Sequence, residues 1–239
     1  MAAFMPAKRL GTARFLYIIT SRPRSVVLAM QYFKLLYDPN SFSEAHTMSS
    51  GSAYQSAYKM PDIGEIVTVP DFDAFVIEYN YKRANLVNTV ALSSNSGLIL
   101  DAQFFKILLE FSLDEYQVFP ATVSYRKKDH PYHFLHFVAD GNRFVDFMKC
   151  QLFLVGIQND TGETSVSVSS YETYLKLDQQ VKQATPPIRV WAGKLVFLEN
   201  PDVDFFRLYR LRFEYFVSER LKNALEAANI KGIKFEVVE

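Results

Sequence analysis

The sequence predicts an α+β protein, mostly antiparallel sheet with few helices, in two halves that are each completed by a similar helix–strand unit. Three observations lead there. Phe (21) and Tyr (14) are abundant, and aromatic side chains suit pleated, half-buried surfaces. Short apolar stretches alternate with polar residues and are punctuated by Asp, Asn, Gly and Pro. One capped amphipathic helix with an exit strand occurs twice.

The clearer copy runs from Val217 to Val238. Ser218 has the side chain to cap a helix, and Glu219 suits its positive end. Leu221, Ala224, Leu225 and Ala228 follow at i, i+3, i+4 and i+7, a single apolar stripe. Asn229 and Gly232 tolerate positive φ and stop the helix. Ile233, Phe235 and Val237 then alternate with Lys234 and Glu236, as a strand with one buried face does.

The earlier copy starts at Asp101. Phe104 takes the place of Leu221, Ile107 of Ala224, Leu108 of Leu225 and Phe111 of Ala228. Leu113, Tyr116 and Val118 then match Ile230, Ile233 and Phe235. Cap, stripe, turn and strand recur together, which reads as an internal repeat.

The remaining elements follow in order. Gln31–Tyr37 reads as a strand and Asp38-Pro39-Asn40-Ser41 as its break. Residues 43–59 read as a loop, Ile66–Val69 and Ala74–Tyr79 as short strands, and Leu86–Leu92 is ambiguous. Leu98–Leu100 leads into the first helix, about 102–112, and a strand at 116–124. Tyr132–Val138 and Arg143–Phe147 read as strands around an Asp140-Gly141 turn. Leu152–Gln158 and Glu163–Ser169 read as a second hairpin, and Tyr171–Gln183 as a weak helix ended by Pro186-Pro187. Ile188–Val190 and Lys194–Leu198 are strands. Tyr209, Leu211, Phe213, Tyr215 and Val217 alternate with charged residues as one long strand, with a bulge or bend at Arg207-Leu208.

Three segments are expected: a basic extension, 1–29, without fold; an N-terminal α+β half, 30–118; and a C-terminal half, 119–239. Residues 1–29 hold Lys8, Arg9, Arg14, Arg22 and Arg24 and no acid. Met30 is the expected true start, with a mitochondrial-type leader as the rival reading. Removing those five bases leaves 21 against 26 acids, a net charge of −5. That balance gives no reason to expect nucleic-acid binding. Cys150 is the one cysteine, so no internal disulfide forms, which suits a reducing, cytoplasmic setting. The run Phe15–Ile19 is too short to span a bilayer, and no membrane association is expected.

His130, His133 and His136 carry the strongest catalytic alternative: a metal-dependent enzyme, with Asp129 or Asp140 nearby. Against it, Pro131 and the surrounding alternation make this a strand, which turns 133 and 136 to opposite faces. Ser218 lacks the Gly-flanked elbow of a hydrolase nucleophile. Arg210 and Arg212 fit a solvated strand face better than a phosphate site. With 9 Gly in the chain and no Gly-rich phosphate loop, no cofactor is expected, and no catalytic or metal residue is assigned.

Phe206-Arg207-Leu208, the run from Phe216-Val217-Ser218-Glu219 through Leu221 to Leu225, and Gly232-Ile233-Lys234-Phe235-Glu236 together resemble the C-terminal signature of one family. It is the eleventh named group of immunity proteins of bacterial polymorphic toxin systems. Ile107–Glu110 to Phe119-Pro120 is similar to its central segment, Tyr132–Phe147 to the strands after it, and Met30–Leu35 to its start. The resemblance implies a non-catalytic protein that neutralises a cognate toxin domain. Its motif residues are of the core and cap type, so recognition is expected from acidic loops: Asp62, Glu65, Asp71, Asp73, Asp202 and Asp204. Such loops suit a toxin with a basic cleft, such as a nuclease.

Overall fold

The computed structural model describes residues 30–38, 43–47 (backbone), 61–68, 70, 74–77, 81–89, 97–156, 164–185, 188–199 and 201–238. The extension 1–29, Asp71 and Asp73, and the turn at 159–162 lie outside them. The architecture is α+β and mostly sheet.

The first strand, β1 (Tyr32–Tyr37), is followed by β2 (Ser43–Thr47), β3 (Phe75–Ile77), β4 (Leu86–Thr89) and β5 (Leu98–Asp101). Helix α1 (Ala102–Leu108), β6 (Tyr116–Tyr125) and β7 (Lys128–Phe137) come next. Then follow β8 (Gln151–Gly156), β9 (Thr164–Val166), α2 (Tyr171–Lys182) and β10 (Ile188–Lys194). The chain closes with β11 (Phe205–Arg207), β12 (Tyr215–Ser218), α3 (Glu219–Ala227) and β13 (Ile233–Val237).

The strands assemble as a barrel, β2-β3-β6-β7-β5-β4, a four-stranded sheet, β11-β12-β1-β13, and a small sheet, β10-β8-β9. The barrel contains the run β4-β5-β7-β6, antiparallel throughout. The four-stranded sheet is its counterpart strand for strand, also antiparallel throughout.

The registers coincide residue for residue. Leu135 faces Leu98 on one side and Val118 on the other; Leu35 faces Tyr215 and Phe235. Tyr132 is opposite the helix cap Asp101, and Tyr32 opposite the cap Ser218. Residues 32–37 thus correspond to 132–137, 203–207 to 84–88, and 215–237 to 98–120. The repeat is a structural duplication. In its second copy, the strand equivalent to β7 is β1, from near the opposite end of the chain.

Local chemistry explains both helix starts. The Asp101 carboxylate accepts from Phe104 N at 2.9 Å, and Ser218 Oγ accepts from Leu221 N at 3.2 Å. Asn229, at φ 55°, and Gly232, at φ 90°, end α3 as their residue types predict. A Cβ on Gly232 would sit 2.6 Å from Leu86 O, so the second copy closes onto β4 only through a glycine.

One core lies between the copies. Leu35 and Leu135, Leu86 and Phe205, Leu100 and Val217, Phe104 and Leu221, and Leu108 and Leu225 are equivalent pairs, and all ten side chains share one cluster. The opposite faces diverge. Phe134, Phe119 and Ile99 fill the barrel. Their counterparts Lys34, Glu236 and Phe216 face the small sheet, where Tyr32, Phe206 and Phe216 join a second core with Tyr174 and Val190.

Several sequence expectations are corrected. Residues 43–47 are a strand, and residues 66–68 are not. The division at 118/119 falls inside β6. Tyr132–Phe137 pairs back onto β6 through Arg126-Lys127, both at positive φ (51° and 63°), rather than onto Arg143–Phe147. Residues 141–144 instead form a 3-10 turn. The long strand expected from Tyr209 shrinks to Tyr215–Ser218. Arg210 and Phe213 take positive φ, and the loop turns inward so that Leu211 is fully buried. Phe206 and Arg207 lie in β11, and the chain leaves the strand at Leu208, where the sequence expects a break in the alternation.

Equivalent tyrosines make equivalent hydrogen bonds. Tyr32 Oη donates to Val203 O and Tyr132 Oη to Ala84 O, each at 2.6 Å. Tyr32→Phe and Tyr132→Phe each strand a buried carbonyl and are expected to cost about 1–2 kcal/mol apiece. Urea unfolding checks this; a loss at one tyrosine alone contradicts the equivalence.

Candidate functional site

The acidic residues singled out by sequence lie some 140 positions apart in two segments. The fold brings those segments together. Residues 61–66 are strapped across the ends of β6 and β7. Gly64 N donates to Val138 O at 2.8 Å, His136 Nε2 to Gly64 O at 2.8 Å, and Ile66 N to Gln117 Oε1 at 2.7 Å. Arg207 Nη1 reaches from β11 to Asp62 O at 2.6 Å. Val138 N in turn donates to Glu115 O, and Asp114 N to Phe205 O. A continuous hydrogen-bonded path therefore joins the strap, the loop after α1 and the segment around Asp202.

Glu65, Glu110, Glu115 and Asp202 are exposed along this path, and Asp62 is half-buried. Leu109 is 51% and Val67 84% exposed, so apolar contacts accompany the charge. None of the ion pairs among the described residues uses these five carboxylates. Arg143 pairs with Asp114 and Arg220 with Asp204, while the buried guanidinium of Arg207, held on Asp62 O, sets one positive charge against the five carboxylates. The face therefore keeps uncompensated negative charge. Glu110 and Glu115 belong to it although the sequence reading did not select them; their one sequence signal is that they flank the turn after the first helix.

Asp204 is corrected from a docking residue to a structural one. Its side chain is fully buried. It accepts from Ser218 Oγ at 2.6 Å, from Ser112 N at 2.9 Å, and from both Nε and Nη2 of Arg220. Its hydrogen bonds hold Arg220 above the usual guanidinium range. Asp202, two residues earlier, takes φ 43° and turns outward, while its carbonyl accepts from Ser112 Oγ.

The motif residues occupy packing and capping positions. Phe206, Leu208, Val217, Ser218, Leu221 and Leu225 are fully buried, and Arg207 nearly so. Gly232 is buried, Phe235 half-buried, and Glu219 exposed in the first turn of α3.

The histidines do not converge. His130 Nδ1 accepts from Arg83 at 2.9 Å. His133 packs on the Phe105 ring, on the opposite face of β7 from His136, and burial lowers its pKa. Among the described residues no group of three or more His, Cys, Asp or Glu is placed to hold a metal. Arg210 pairs with Asp178 at 2.9 Å, and Arg212 donates to Ala192 O and Gly193 O. Both therefore serve the fold rather than a solvated strand face. Cys150 Sγ accepts from Val196 N, and burial raises its pKa.

No protein-family model matches the chain, and no curated protein is found similar to it. The family resemblance rests on the residues quoted for it. No helix among the described residues is long and apolar enough to cross a membrane.

The contrast between neighbouring aspartates is testable. Asp204→Ala is expected to cost about 2–3 kcal/mol, since a buried hydroxyl, an amide and a guanidinium lose their acceptor. Asp202→Ala is expected to change stability by about 0.5 kcal/mol or less. Equal losses in chemical denaturation would contradict the assignment.

Proposed function

We propose that the protein is a cytoplasmic immunity protein that binds a cognate toxin domain and neutralises it by covering its active surface, without catalysis. The observation that carries this reading is that hydrogen bonds join the three segments that hold Asp62, Glu65, Glu115 and Asp202, with exposed Leu109 and Glu110 in the turn before Glu115 and exposed Val67 after Glu65. Carboxylates on loops steer a basic partner into place and penalise wrong partners, while apolar side chains supply contact area. A toxin that cuts nucleic acid presents such a basic cleft. An interface of about 1,200–2,000 Å² is the size required.

The motif residues support the same reading indirectly. They are spent on packing and capping, so the scaffold can stay constant while the loops vary to match one toxin and reject others.

Co-expression with the toxin encoded beside its gene is the direct test. The protein is expected to protect cells. Reversing charge at Glu110, Glu115 and Asp202 together is expected to slow association by about tenfold or more at low salt, with less effect at high salt. Cell death despite abundant folded protein would remove the pairing. Protection and association rate untouched by the triple reversal would remove this face from it.

A further inference from the structure

The duplication shows where the second copy differs from the first. In the barrel, β6 has β7 on one side and β3 on the other. Its counterpart β13 has β1 on one side and stands at the edge of its sheet among the described residues. The first copy also carries Pro120, which has no N–H to offer, where β13 carries Val237. Proline is a common guard on strand edges, so β13 lacks a protection that β6 has.

The hydrogen-bond phase of β13 is fixed. Asp38 N donates to Gly232 O, so in the β1–β13 ladder Lys234 and Glu236 point their backbone groups inward. Ile233, Phe235 and Val237 point theirs outward. Those three residues form a set symmetric about Phe235, as a strand needs if it is to pair with a copy of itself. An antiparallel pair centred there sets Phe235 opposite its mate and Ile233 opposite Val237. Lys234 then lies opposite Glu236 of the other copy, twice.

Charges usually guard an edge by repelling a second copy. Here they do the reverse. Lys234 and Glu236 lie on one face, 44% and 49% exposed, and already pair at 2.8 Å within the strand. Across the two-fold axis they would continue as an alternating ladder of four charges, and opposite charges on facing strands are favourable.

We propose that the β13 edges of two copies of this chain pair antiparallel about Phe235, joining two four-stranded sheets into one. The contact is short, so the dimer is weak and concentration-dependent. It is independent of the toxin-binding reading.

Sedimentation velocity of the full chain over about 1–500 µM spans the range in which so small an interface operates. The wild type is expected to shift from monomer to dimer. Lys234→Glu makes the edge all acidic and Glu236→Lys makes it all basic, so each variant alone is expected to dimerise at least tenfold more weakly. Mixed, the two are expected to form a heterodimer at wild-type strength or better, because each edge then meets its complement. Val237→Pro, a change that β6 already accommodates at Pro120, removes one outward N–H and is expected to weaken the dimer while leaving the circular dichroism spectrum unchanged. A monomer at every concentration overturns the proposal. So does a dimer indifferent to all three substitutions, or a mixture that fails to associate.

Discussion

Two backbone carbonyls hold the two copies in place. Ser112 O, just past α1, accepts from the amides of both Asp204 and Phe205. Lys231 O, just past α3, accepts from both Asn85 and Leu86. Each helix exit thus docks on the strand that opens the other copy. The side chains repeat the exchange. Asn85 donates to the cap Asp101 and accepts from Lys231 N; Asp204 accepts from the cap Ser218 and from Ser112 N. Each set contains one carboxylate and one neutral donor, in swapped positions, so neither leaves two acceptors facing each other.

From that exchange the rest follows. It sets α1 and α3 side by side over a shared apolar core, so neither copy can bury its stripe alone. It also sets which surfaces remain for recognition. The first copy uses its second face to line a closed barrel. The second lays its own against the small sheet and replaces two barrel phenylalanines with Lys34 and Glu236. The strap carrying Asp62 and Glu65 meets the segment carrying Asp202 because Arg207, buried in the second copy, reaches a carbonyl lying over the first. The acidic face is therefore a product of the docking.

The local part of this was legible in the sequence. Caps, i, i+3, i+4 stripes and positive-φ stop residues act within a few positions, and both helix–strand units read correctly. The pairing of β1 with strands near 215 and 235 was not legible, since nothing near Tyr32 records partners 180 residues away. The β6–β7 hairpin escaped notice because its turn is Arg126-Lys127, without the Asn or Gly that usually marks positive φ. Tyr209–Val217 misled because alternation also arises in a loop whose Leu211 is buried by its neighbours. Of the candidate site, Asp202 and Glu65 were readable as loop acids. That Asp204 is buried depends on Ser112 and Arg220, and only the fold brings those to it.

The most direct test of the central claim is native-state hydrogen exchange at the four docking amides. If each copy completes the other, Asn85, Leu86, Asp204 and Phe205 exchange only through global unfolding, with the same free energy and the same denaturant dependence. Exchange of one pair at a markedly lower free energy, with the other still protected, would mean two units that open independently, and would contradict the account.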